Sequence, residues 1–182
     1  MNILMLVGSL RADSWTARLT GSAASLLPDG AEAVVYDGLG ELPHYDQDLD
    51  TDQPPAAVTA FRDAVRRADG LVVATPEYNG SMPGVLKNAI DWASRPRGES
   101  SIAGKAVAVI SVSHSPRGAQ WAREEAEKVL RVAGAVPLDE SVGIPSVHAA
   151  VVDGELADED VERALRDLMQ ALVSADEERR AA

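Results

Sequence analysis

The 182-residue sequence contains no cysteine. Disulfides, thiolate metal centres and cysteine nucleophiles are therefore excluded. Aromatic residues make up only 4% of a chain that is 46% hydrophobic, so its core has to be built from Val, Leu, Ile and Ala. No apolar run approaches the ~20 residues that a membrane-spanning helix needs, and the opening Met1 to Val7 lacks the basic region of a secretory leader. Bases are few: 17 Lys and Arg stand against 29 Asp and Glu, a net charge of −12, whereas a phosphate backbone demands a basic surface. His44, His114 and His148 show no metal-ligand spacing, and Ser9 has no nearby His and Asp arranged as in a serine hydrolase. A soluble cytoplasmic protein that engages a small molecule, without nucleic acid, membrane or metal, is the expectation.

The acidity is local. Asp153 to Ala182 carries ten acids and four bases, and Asp46 to Asp52 adds four acids without a base. A solvated helix face and one solvated loop explain this better than a docking site does. The length suits one domain, expected over 1–176, with a frayed tail at 177–182.

Strands and helices alternate. Asn2 to Val7, Ala33 to Tyr36, Gly70 to Thr75, Lys105 to Val112 and Ala135 to Leu138 read as strands. Helical stripes run through Leu19 and Ala23, through Val58, Phe61 and Val65, and through Leu86, Ala89 and Ile90. Two more follow, from Ala119 to Val132 and around Leu165, Leu168 and Leu172. Five strands separated by helices require a parallel α/β sheet with helices on both faces, because parallel neighbours need crossover connections. Ligands of such sheets bind beyond the carboxyl ends of the strands.

The stretch Gly8-Ser9-Leu10-Arg11-Ala12-Asp13-Ser14 lies at the first of those ends, just before a helix that starts near Trp15. Free backbone N–H groups, the helix dipole, two hydroxyls and the fixed cation of Arg11 make an anion site. Neither a multiple-glycine dinucleotide loop nor a Gly-Lys-Ser/Thr ending is present, so a single terminal phosphate fits best. A plain surface turn capped by Ser14 is the other reading of these residues. Thr75 to Gly84, after the third strand, holds two prolines and an Asn79-Gly80 pair that favours positive φ. Such a stiff backbone can lie against a flat ring; a simple turn before a helix led by Pro83 is the alternative. The loop Ser113 to Gly118 carries Arg117, which reads either as a contact for a nucleotide 2′-phosphate or as an ordinary surface residue.

Together, Gly8 to Ser14 and Pro76-Glu77-Tyr78-Asn79-Gly80-Ser81-Met82-Pro83-Gly84-Val85-Leu86-Lys87-Asn88-Ala89-Ile90-Asp91-Trp92 resemble the NADPH-dependent FMN reductase family. This is the flavodoxin-like group that includes quinone, azo-dye and chromate reductases. Leu42 to Asp48 is similar to the family's loop after strand two. The resemblance implies a flavodoxin-like fold with strand order 2-1-3-4-5. It implies an FMN phosphate held by Ser9, Arg11 and Ser14 with the backbone of Trp15 and Thr16, and an isoalloxazine ring lined by Pro76, Glu77, Tyr78, Asn79, Gly80 and Ser81. Ser113 and His114 complete the implied cofactor-binding set.

The implied chemistry is ping-pong transfer of hydride from NADPH or NADH to FMN and of electrons onward to a quinone, azo, chromate or free-flavin acceptor. No side chain is assigned as a catalytic acid or base, and a homodimer or homotetramer is implied. Thr16 stands where the family commonly has asparagine. The loop at Ser113 to Gly118 is less glycine-rich than the family's and carries the bulky His114. A non-enzymatic flavodoxin-type electron carrier and a flavin-less regulatory module remain the rival readings.

Overall fold

The computed structural model describes residues 1–152 and 155–181. Five strands form a parallel sheet in the order β2-β1-β3-β4-β5, where β1 is Asn2–Val7, β2 Glu32–Tyr36, β3 Gly70–Thr75, β4 Ala106–Val112 and β5 Val136–Pro137. The central strands β1, β3 and β4 are continuous apolar runs because helices cover both of their faces. Their alternation sorts the core into two layers. Leu4, Leu6, Leu71, Val73, Val107 and Val109 face α2 (Ala56–Arg67), α3 (Gly84–Ala93) and α4 (Gln120–Val132). Ile3, Met5, Val72, Ala74, Ala108 and Ile110 face α1 (Trp15–Ser25) and the closing helix, α6 (Glu159–Ala181).

The far edge differs from the sequence expectation. Ala135 to Leu138 was expected as one strand, but only two residues pair, at Ala106↔Val136 and Val107↔Pro137. Pro137 has no N–H to extend the ladder. The chain leaves the sheet and returns as β6 (Val142–Ile144), which pairs with the second half of β4 from Ile110↔Val142 to Val112↔Ile144. The edge is thus shared by two short parallel pieces, and the sheet gains a sixth strand. A four-residue helix, α5 (Val147–Ala150), follows, and then a hairpin of β7 (Val151–Val152) and β8 (Glu155–Leu156), none of them legible in the sequence. The closing helix continues through the segment expected to be a frayed tail; of that segment, Ala182 lies outside the described residues.

The long connection from Asp37 to Pro55 is ordered by its contacts with α3. Two 3-10 turns, Gly38–Glu41 and Gln47–Leu49, shorten it. The amide of Asn88 donates to the Pro43 carbonyl at 2.9 Å and accepts from the Tyr45 N–H at 2.7 Å, and the Trp92 indole N–H donates to the same carbonyl at 2.8 Å. Arg62 of α2 closes the clamp: it donates to the Trp92 carbonyl at 2.9 Å and pairs with Asp50 at 2.7 Å, with 5% and 11% of the two side chains exposed. The Leu42 to Asp48 and Asn88 to Trp92 motifs are therefore two halves of one packing unit.

At the top of β1, the Gly8 N–H donates to the Ala74 carbonyl at 2.8 Å. A Cβ at Gly8 would lie 2.5 Å from Leu86 Cδ1 and 3.1 Å from the Ala74 oxygen. Leu86 is fully buried, so it has nowhere to retreat without disturbing its neighbours. Gly8→Ala is expected to lower stability by about 1–3 kcal/mol, the usual range for overpacking, measured as a drop in the urea midpoint at constant slope.

Candidate functional site

A cleft of ≈ 340 Å³ opens at the carboxyl ends of β1, β3 and β4. Ser9, Arg11, Ser14, Trp15, Thr16, Pro76, Glu77, Tyr78, Ser113 and His114 line it, so ten of the sequence-expected residues meet there. Val112, Ser115 and Val147 complete the wall. A larger groove of ≈ 520 Å³ lies between α3 and α4 and holds Lys87, Arg95, Arg97 and Lys128. It is not at the strand ends, and Arg95 and Arg97 follow the C-terminus of α3, where the helix dipole favours cations.

The first strand turns into α1 with its donors unspent. From Ser9 to Thr16 no backbone N–H has an acceptor among the described residues. The Ser14 side chain caps the helix, accepting from the Ala17 N–H at 3.0 Å. Its hydroxyl proton stays free, so capping and anion contact are compatible roles for the same oxygen. Arg18 is engaged by Asp13 at 2.5 Å and lies over the Trp15 ring. Arg11 is exposed and makes no ion pair among the described residues, which leaves its guanidinium available to a ligand.

The loop after β3 is a rigid ledge. Asn79 and Gly80 both adopt positive φ, 54° and 75°, and Tyr78 and Ser81 exchange backbone hydrogen bonds at 3.0 and 3.2 Å around them. That is the turn the Asn-Gly pair favours. Pro76, Glu77 and Tyr78 reach the cleft, whereas Asn79, Gly80 and Ser81 lie outside its lining. Gly80 instead backs onto Trp121, and a Cβ there would sit 3.3 Å from the indole. The Ser81 hydroxyl donates to Glu125 of α4 at 2.5 Å, and the Met82 N–H donates to the same oxygen at 3.0 Å. Glu77 caps α4, its carboxylate accepting from the Trp121 and Ala122 N–H groups at 3.1 and 3.2 Å.

The Ser81 hydroxyl, and then the Met82 N–H, hold the Glu125 carboxyl below its ordinary value of 4.5. A lowered folded-state pKa means that this carboxylate stabilises the fold at all pH values above the ordinary one. The contribution fades as pH falls through the lowered value. Glu125→Gln is expected to flatten the acid side of the stability–pH curve by lowering stability at neutral pH, while the most acidic points stay nearly unchanged, as read from urea midpoints between pH 3 and 7.

Serines brace the loop after β4. Ser113 Oγ accepts from the Ser115 N–H at 2.9 Å, and Ser115 Oγ accepts from the Arg117 N–H at 3.3 Å. The Ser113 carbonyl accepts from the Val147 N–H at 3.2 Å, which draws α5 to the rim. His148 then stands 4.5 Å from His114, centroid to centroid, and 5.3 Å edge-on from Trp15. The two histidines are 34 positions apart in the sequence, and α5 unites them. Arg117 lies 4.6 Å over the Trp121 ring and is outside the cleft lining. Among the described residues there is no group of three or more His, Asp or Glu side chains able to hold a metal ion, and no helix is long and apolar enough to cross a membrane.

The model of NADPH-dependent FMN reductases matches residues 1–149, which includes every wall of the cleft. The chain belongs to the NADPH-dependent FMN reductase family. As a member, it is 50% identical over 113 residues to a 2-hydroxy-1,4-benzoquinone reductase from Burkholderia sp. That match covers 62% of this chain and 61% of the relative, so the chain spans about three fifths of that relative's length. It is 37% identical over 174 residues to an NAD(P)H-dependent FMN reductase of Pseudomonas aeruginosa, covering 94% of this chain and 93% of that one. FerB, a flavoenzyme NAD(P)H:(acceptor) oxidoreductase from Paracoccus denitrificans, superposes with a TM-score of 0.85 at 34% identity, over 97% of each chain.

Proposed function

We propose that this FMN reductase family member is an FMN-dependent NAD(P)H oxidoreductase acting on small acceptors: quinones, azo compounds, chromate or free flavin. The carrying observation is the run of N–H groups from Ser9 to Thr16 that have no acceptor among the described residues, beside Arg11, which makes no ion pair among them. Eight donors and a fixed cation around one turn suit a phosphate monoester dianion. The Pro76 to Tyr78 ledge suits a planar ring, and Ser113 and His114 line the same cleft. When bound, FMN supplies the redox chemistry, taking hydride from NAD(P)H and returning electrons to the acceptor in ping-pong order.

The chain's own residues then bind and orient. Ser9, Arg11 and Ser14 hold the phosphate with the Trp15 and Thr16 N–H groups, and the ledge fixes the ring's plane, so the reacting face is presented ready-made. No cleft residue is assigned a proton-transfer role. We also propose a cytoplasmic homodimer or homotetramer, which light scattering of the purified protein tests. For the activity, NAD(P)H oxidation is followed with 1,4-benzoquinone and catalytic FMN. The expected result is turnover that needs both the acceptor and FMN. Turnover only after adding a separate reductase would indicate a carrier, and no flavin uptake would indicate an empty fold.

A further inference from the structure

The ledge is tied to the core through the buried Met82 side chain, and its polar ties to other elements go elsewhere. Among the described residues, every side-chain hydrogen bond that ties residues 77–82 to another element ends on α4. Glu77 reaches across to the Trp121 and Ala122 N–H groups, and Glu125 reaches back to the Ser81 hydroxyl and the Met82 N–H. The two carboxylates point in opposite directions, one from ledge to helix and one from helix to ledge. Between them the Gly80 backbone rests on the Trp121 indole. The Tyr78–Ser81 hydrogen bonds hold the turn's shape, and this double latch holds its position against α4.

Glu125 sits away from the cleft, outside its lining, and its carboxylate serves two donors at once. A solvated helix-face glutamate needs neither. We propose that Glu125 is a positioning residue of the reductase: from α4 it fixes the Ser81–Met82 end of the ledge while Glu77 fixes the other, so that the Pro76 to Tyr78 backbone meets the flavin in a single orientation. The proposal rests on the FMN-binding reading above. Its chemical sense is preorganisation, since a ledge that must be ordered at each binding event spends part of the interaction on ordering.

The test uses the full chain and FMN itself, with Glu125→Ala, Ser81→Ala, the double variant and Glu125→Gln. Charge-assisted hydrogen bonds of this kind predict an FMN Kd raised about tenfold in Glu125→Ala. The visible circular dichroism of bound FMN should change, and KM for the acceptor should rise by more than kcat falls. Ser81→Ala should show the same changes in weaker form, since the Met82 contact survives. The double variant should be no worse than Glu125→Ala, because both substitutions remove one latch. Glu125→Gln keeps an acceptor oxygen and should recover most of the affinity.

Unchanged Kd and dichroism in Glu125→Ala, with or without a lower apoprotein melting temperature, overturn the proposal, as do additive losses in the double variant. Failure of the wild-type protein to bind FMN is a separate result and overturns the reading beneath it.

Discussion

Arg11→Ala is expected to weaken FMN binding by about 1.5–3 kcal/mol, roughly ten- to a hundredfold in Kd, while riboflavin binding stays within about twofold of wild type. Among the described residues Arg11 is the only Arg or Lys in the cleft lining, and nothing inside the protein competes for it. The contrast between the two ligands isolates the phosphate, because they differ by that group alone. Arg18 supplies the control. It stands close by but is already held by Asp13, so Arg18→Ala should leave the Kd for FMN almost untouched. Titration of the flavin-stripped protein by fluorescence quenching reads both. Equal losses for FMN and riboflavin would show that Arg11 acts on the ring or on the fold.

The largest stability effect is expected far from the cleft. Asp50→Ala removes the counter-ion of a guanidinium whose side chain is only 5% exposed, and an orphaned buried charge of this kind costs about 3–5 kcal/mol. For a chain of this size that is a fall in Tm of roughly 6–20 °C. Arg62→Met combined with Asp50→Ala should lose less than Asp50→Ala alone, since it leaves no unpaired charge behind, although the Trp92 carbonyl then gives up its Arg62 donor. The damage should spread along one path. Asp50 anchors the long connection to Arg62, and Pro43 and Tyr45 anchor it to Trp92 and Asn88, so hydrogen exchange should quicken from Leu42 to Asp50 before it does in β1 or β3.

These two sites show where the sequence is readable and where it is not. The three central strands are legible because both faces are covered, so each is a mostly apolar run. The edge is not. Val136–Pro137 and Val142–Ile144 are too short for any periodicity to register, and what unites them is their shared partner, β4. The phosphate turn is legible because its chemistry is contiguous: hydroxyls, arginine and helix start follow one another within eight residues.

The remaining parts of the site are assembled across the chain. Glu125 reads as one more acid on a solvated helix, since nothing local distinguishes it from Glu124 or Glu127. His148 becomes a neighbour of His114 only through a four-residue helix with no sequence signal. Of the six ledge residues, Pro76, Glu77 and Tyr78 line the cleft while Gly80 and Ser81 meet α4, because the Asn79-Gly80 turn reverses the chain just after Tyr78. The acidic loop reads as a solvated loop, yet Pro43 and Tyr45 fasten the connection to α3 and Asp50 fastens it to α2.

The central claim is that FMN lies across the carboxyl ends of β1, β3 and β4 with its phosphate at the start of α1. A crystal structure of the protein with FMN tests it most directly. The phosphate should accept hydrogen bonds from the Trp15 and Thr16 backbone and from Arg11, with the tricyclic ring against Pro76 to Tyr78. A ring bound elsewhere, or a phosphate with no contact between Ser9 and Thr16, would contradict it.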